Sequence, residues 1–342
     1  MLDPSVRSTS LQSTRFSIRA ACVGAAAMLV LSGCTRLQVR LGSKVHLDAI
    51  PVKSMEARLA NGQGIVPGQK SPLVVVITQA DGKVLQTEGA GQGKVLWSEL
   101  NVAATVVTAN KKGVVALPRD PRISDGKTPH VTITVPSHPD IRAELDIPVR
   151  YDYKFAANFS GISGTSGFNG TDGLNRTSGS PGSLDPNNPS PGGNGSNGSD
   201  GSNGQDGGRG GDAPPVQIRV ALRSGSHPLL QVDVTAPGGE EVFLVDPQGG
   251  SLTVAADGGS GGSGGKGGRG GRGGSGGIGT PNGSSGRDGM DGRNGWDGSS
   301  GRGGSITVTY DPAAAPYLGA IHLSNRGGPA PVFNEETVAP LW

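Results

Sequence analysis

The chain has 342 residues, of which 61 are glycine and 25 proline, while aromatics make up only 4%. Lysine and arginine total 30 against 28 aspartates and glutamates, a formal charge of +2. So neutral a chain lacks the field that binds phosphate backbones, and so few aromatics make no base-stacking platform, which argues against nucleic-acid binding.

Residues 1–33 read as an export signal. Arg7, Arg15 and Arg19 form a positive start, and an apolar run from Ala20 to Leu31 follows that is too short to span a bilayer as a mature helix. It ends Leu31-Ser32-Gly33-Cys34. This resembles the lipobox of bacterial lipoproteins, which implies lipidation of Cys34 and a membrane partner through its acyl chains. Thr35 follows where an Asp would tend to retain a Gram-negative lipoprotein at the inner membrane, so the resemblance implies an outer-membrane or cell-surface location. The other cysteine, Cys22, lies inside the signal, leaving no thiol for a disulfide, metal site or nucleophile. Removing 1–33 leaves 27 basic and 27 acidic residues.

Residues 34–155 are expected to form a β-sandwich. Alternating or apolar runs occur at Leu37–Leu41, Pro72–Gln79, Lys83–Glu88, Val102–Thr108, Gly113–Leu117, His130–Val135 and Ile141–Tyr153, with Ala80-Asp81-Gly82 as a hairpin turn. The strand rhythm resembles immunoglobulin-like domains, although their Cys-Trp-Cys core signature is absent. Trp97 is expected to pack in the core or a hairpin.

Residues 156–212 hold glycine at every third position from Gly161 to Gly182 except at Arg176, break at Leu184–Pro189, and restart in a shifted frame from Gly192. Residues 213–257 read as a small β unit, with strands at Val216–Leu222, Leu229–Val234, Glu241–Val245 and Leu252–Ala255. Residues 258–304 repeat the device: Gly-Gly-X to Gly279, a break at Thr280-Pro281-Asn282, then Gly-X-Y to Gly304. A three-residue period is that of a polyproline II helix, not of an α-helix or a strand. The triplets resemble those of bacterial collagen-like proteins, but the prolines sit in the breaks. In a Gly-Gly-X helix two of three faces are bare, which suits several extended helices packed side by side with hydrogen bonds between them. Three readings stay open: a disordered linker, an intramolecular polyglycine bundle, and a collagen-like homotrimer. Residues 305–342 supply closing strands, including Ile306–Tyr310 and Ala320–Leu323, and a tail expected to fray.

Candidate chemistry is sparse. His46, His130, His138, His227 and His322 have no metal-ligand spacing. Asp288, Asp291 and Asp297 invite a calcium reading, but pairing with Arg287 and Arg293 is the expected role, as in the charged triplets of the collagens they resemble. Gly267–Arg272 is similar to an RGG box, which export and neutrality oppose. No acid, base or nucleophile constellation indicates an enzyme, and no cofactor is expected. The Gly-Gly-X pattern is also similar to polyglycine antifreeze bundles, but Lys and Arg among the X residues do not fit ice binding. The reading is a mostly β, lipid-anchored surface protein, structural or adhesive, with glycine-repeat spacers. The alternative is a surface binding module for polysaccharide or a partner protein.

Overall fold

A computed structural model describes residues 44–342 except 224 and 226. Cys34 and the 37–41 run lie outside the described residues. The chain divides into two units, up to Arg150 and from Tyr151.

The first unit contains β1 (Val52–Leu59), β2 (Lys70–Gln79), β3 (Val84–Gln86), β4 (Asn101–Thr105), β5 (Thr108–Ala109), β6 (Val114–Ala116), β7 (His130–Val135) and β8 (His138–Asp146). One sheet has the order β1-β2-β6-β5, with β3 also on β2, and the other is β4-β7-β8. A single apolar cluster draws on both, including Met55, Val75 and Ile77 from one and Val131, Ile133 and Ala143 from the other. Alternation in β7 puts Val131, Ile133 and Val135 inward, as a half-buried strand requires. The apolar run of β2 is buried on both faces at Leu73, Val74 and Val75.

The expected strand at 102–108 is broken. Val106 has φ 67°, a left-handed conformation rare for a β-branched residue, and the chain passes there from one sheet to the other. Trp97 is buried, and its Nε1 donates to the Glu88 carbonyl at 3.3 Å. Gly113 lies under the indole with φ 68°, and a Cβ there would stand 2.1 Å from Trp97 Cζ2.

The second unit contains β9 (Lys154–Asn158), β10 (Val216–Arg223), β11 (Leu229–Ala236), β12 (Gly239–Val245), β13 (Ser251–Ala255), β14 (Ile306–Tyr310), β15 (Ile321–Ser324) and β16 (Val332–Glu335). Its sheets have the orders β12-β11-β10-β14-β16 and β15-β13-β9. Residues 154–158, grouped with the first domain on sequence, therefore belong here, because β9 pairs in parallel with β13. The expected strand at 141–153 likewise ends at Asp146, before Pro148.

The tail is not frayed. β16 pairs with β14, Val338 is buried, and the buried Gln231 donates from Nε2 to the Trp342 carbonyl while its Oε1 accepts from Leu341 N–H. A buried amide needs partners for both ends, and the last two residues supply them.

The four glycine segments, 161–182, 192–211, 258–279 and 283–304, continue these strands. The first follows β9 and the third follows β13, whereas the second leads into β10 and the fourth into β14. Pairing is parallel for β9 with β13, where Lys154 faces Ser251, and for β10 with β14, where Val216 faces Ile306. The same two offsets, 97 and 90 residues, recur in the side-chain contacts along the glycine segments, from Asp257 N–H to Ser160 and from Arg302 N–H to Asp212. Register is thus set in the sheets and carried onward without slippage.

Candidate interaction face

The four segments are tied by backbone hydrogen bonds at every third residue. Amides of the first segment donate to the third, as from Gly164 to Ser260 and from Gly179 to Ser275, each at 2.8 Å. Amides of the second donate to the fourth, as from Gly201 to Met290 at 2.9 Å. Antiparallel ladders join second to first (Gln205 to Phe168, 2.9 Å), third to second (Gly268 to Ser202, 2.9 Å) and fourth to third (Gly292 to Gly268, 2.7 Å). The second and third segments therefore each touch three neighbours, and the first and fourth touch two.

This explains the Gly-Gly-X repeat of the third segment. In the third segment one glycine column faces the first segment, where a Cβ on Gly268 would stand 2.0 Å from the Thr171 carbonyl. Its other glycine column faces the fourth, where a Cβ on Gly267 would stand 2.0 Å from the Gly292 carbonyl. A Gly-Gly-X segment accepts close neighbours on both bare faces, whereas the first and fourth segments have one glycine column, and the second, also Gly-X-Y, meets the first through the non-glycine amides of Ser196, Ser199, Ser202 and Gln205.

Backbone pairing satisfies only a third of the amides in the third segment. Between Gly264 and Gly274 the rest are met by side chains at the last position of each neighbouring triplet. Asn169, Asp172 and Asn175 accept from the amides of Lys266, Arg269 and Arg272 at 2.7–2.8 Å. From the other flank Asp288, Asp291, Asn294 and Asp297 accept from Gly273, Gly270, Gly267 and Gly264 at 2.6–2.9 Å. Every N–H from Gly264 to Gly274 is thereby bonded. The second segment repeats the device toward the fourth through Asn194, Asn197, Asp200, Asn203, Asp206 and Asp212.

The expected pairing of Asp288 and Asp291 with Arg287 and Arg293 is therefore corrected. A backbone donor that would otherwise go unmet is the better partner for a short carboxylate, and the guanidinium groups are left pointing outward without ion pairs among the described residues. Nor do the three aspartates gather into a group that could hold a metal ion. Such a group does form in the first unit, where the ligand atoms of His46, Asp48 and Glu99 lie within 4.8 Å of one another. His46 Nδ1 and Glu99 Oε1 are 2.8 Å apart there, and the N–H of Leu47 donates to Glu99 at 3.4 Å. The remaining histidines stay dispersed: His130 meets Asp146 and His227 meets Asp246.

At one end of the bundle lies an open cleft of about 510 Å³, lined by Ser160, Ser163, Ser260, Ser300, Asp257 and Arg326. The N–H of Arg326 and the hydroxyl of Ser324 donate to Asp257, and with the adjacent guanidinium they hold its carboxyl below the usual carboxylate range.

The middle positions of the first and fourth segments form the most exposed apolar surface of the bundle. Both columns border the second segment, which ties them into rows. Gln205 N–H bonds the Phe168 carbonyl while Asp206 accepts from Trp296 N–H, so Phe168 and Trp296 share a row; their exposures are 77% and 81%. Ser199 and Asp200 join Leu174 to Met290 in the same way, also exposed. Between these rows Ser202 and Asn203 join Thr171 to Arg293, and beyond them Ser196 and Asn197 join Thr177 to Arg287. Apolar and polar rows alternate at a triplet spacing of about 9 Å. Sequence reading missed this cluster because its members are brought together only by the strand offsets.

The opposite side presents Lys266, Arg269 and Arg272, flanked by the Asx columns of the first and fourth segments. Among the described residues no helix is long and apolar enough to cross a membrane. The chain matches no protein-family model and no curated protein.

Proposed function

We propose that the protein is a lipid-anchored cell-surface structural or adhesive protein. In this reading the first unit is an immunoglobulin-like β-sandwich, and the glycine segments form a polyglycine II bundle that serves as a stiff spacer. The observation that carries it is the hydrogen-bond ladder joining the four glycine segments, in which glycine columns of the third segment line its contacts with the other three. A flexible linker has no use for such register, and the amides a collagen-type trimer would share between chains are bonded within one chain. The third segment alone would extend about 65 Å at polyproline II rise. The alternative, a surface binding module for polysaccharide or a partner protein, is favoured by the exposed apolar rows.

The anchor is tested by metabolic labelling with palmitate in a bacterial host. The expected result is a labelled band in the membrane fraction that disappears in Cys34→Ala. An unlabelled wild-type chain released from cells would overturn the anchored reading while leaving the bundle untouched.

A further inference from the structure

The ribbed side of the bundle is matched to itself. We propose that it pairs with the same face of a second copy of this chain, about a two-fold axis parallel to the glycine segments. That operation lays the first segment of one copy over the fourth segment of the other, row on row. Phe168 then meets Trp296 of the partner subunit, and Leu174 meets Met290 of the partner subunit, so in these two rows apolar meets apolar and the aromatic pair adds to the burial, while at the end of the face Ile162 meets Arg302 of the partner subunit, whose aliphatic stem can lie over it. Thr171 meets Arg293 of the partner subunit, and Thr177 meets Arg287 of the partner subunit. No arginine faces an arginine, because the first-segment column from Ile162 to Thr177 carries no charge. A two-fold perpendicular to the segments brings the Leu174 and Phe168 rows together only by stacking Arg293 on Arg293 of the partner subunit.

Size and charge favour this occupant. From Ile162 to Thr177 the face is about 46 Å long, and three chains spaced about 5 Å apart give roughly 650 Å² per partner. The total of roughly 1,300 Å² falls in the range of specific interfaces, near its lower end. An anionic lipid surface would meet Asp200, Asp206 and Asp212 in the second-segment column, which lies between the first and fourth segments. A sugar chain would find no ring to stack on at Leu174 and Met290. The proposal rests on the folded bundle but not on the anchor.

The test is sedimentation equilibrium of the full chain with Cys22→Ala and Cys34→Ala, so that neither acyl chains nor native thiols contribute. A dimer is expected at protein concentrations of about 100 μM, with Trp296→Glu weakening it at least about tenfold. Adding Leu174→Cys to one sample and Met290→Cys to another, then mixing them with a short bis-maleimide, should give cross-linked dimers, while Leu174→Cys alone should not. Amide exchange is followed on the same samples. A monomer with protected glycine amides, or efficient cross-linking of Leu174→Cys to itself, overturns this pairing alone. Unprotected amides overturn the bundle beneath it as well.

Discussion

Replacing Gly268 by alanine is expected to unfold the glycine bundle at temperatures where the native chain is intact. The added Cβ would lie 2.0 Å from the Thr171 carbonyl oxygen and 2.4 Å from its carbon. Neither is the end of a flexible side chain, so the first and third segments must separate locally. That separation also strains the neighbouring bonds from Gly268 to Ser202 and from Gly292 to Gly268. The cost is upwards of about 3 kcal/mol, at the high end for a single small-to-large change. Arg269→Ala, one residue along, is the control. Its side chain is exposed and has no partner among the described residues, and the backbone N–H that Asp172 accepts from is retained, so the change should stay within about 0.5 kcal/mol. Calorimetric unfolding of the two variants measures the difference. Equal transitions would mean that close approach is not what these glycines are for.

The second large effect is expected from Asp288→Ala, Asp291→Ala and Asp297→Ala combined. Each change removes an acceptor for a glycine amide of the third segment, and water can replace it only partly because those glycines are half-buried. At about 1 kcal/mol per lost bond the triple variant should lose about 3 kcal/mol. The matching triple asparagine variant keeps an acceptor oxygen at the same reach and should lose less than about 1 kcal/mol. Asn294 already does this work in the same column, accepting from Gly267 at 2.9 Å. Denaturant unfolding of both triples separates the amide role from charge pairing with Arg287 and Arg293. If charge pairing were the stabilising term, the asparagine triple would fall as far as the alanine triple.

The legible features of this sequence were the local ones. Alternation placed β7, and the unbroken apolar run placed β2. The period of three, kept in phase across Thr280, pointed to packing between chains, and the two bare faces of Gly-Gly-X pointed to a segment with several neighbours. What escaped depended on partners far away along the chain. In β1 Met55, Ala57 and Leu59 alternate toward the core, but the run is short and interleaved with Glu56 and Arg58, and it is the pairing with β2 that makes the strand plain. β16 is exposed throughout, so burial leaves no pattern to read, and its place is set by its backbone pairing with β14. The Asx column was visible as a period, but its purpose depends on which amides lie across from it. That in turn follows from the offsets fixed where Lys154 faces Ser251 and Val216 faces Ile306. The same offsets place Phe168 and Trp296 in one row across the second segment, which no local window contains.

Hydrogen exchange resolved to single amides between Gly259 and Gly301 tests the bundle most directly. Bonded third-segment amides, from Gly264 to Gly274, should exchange at least about a thousandfold more slowly than in an unstructured peptide, because opening one requires parting several ladders. That protection should persist on dilution, since every bond lies within one chain. Exchange at free-peptide rates, or protection that vanishes as the protein is diluted, would contradict a single-chain bundle.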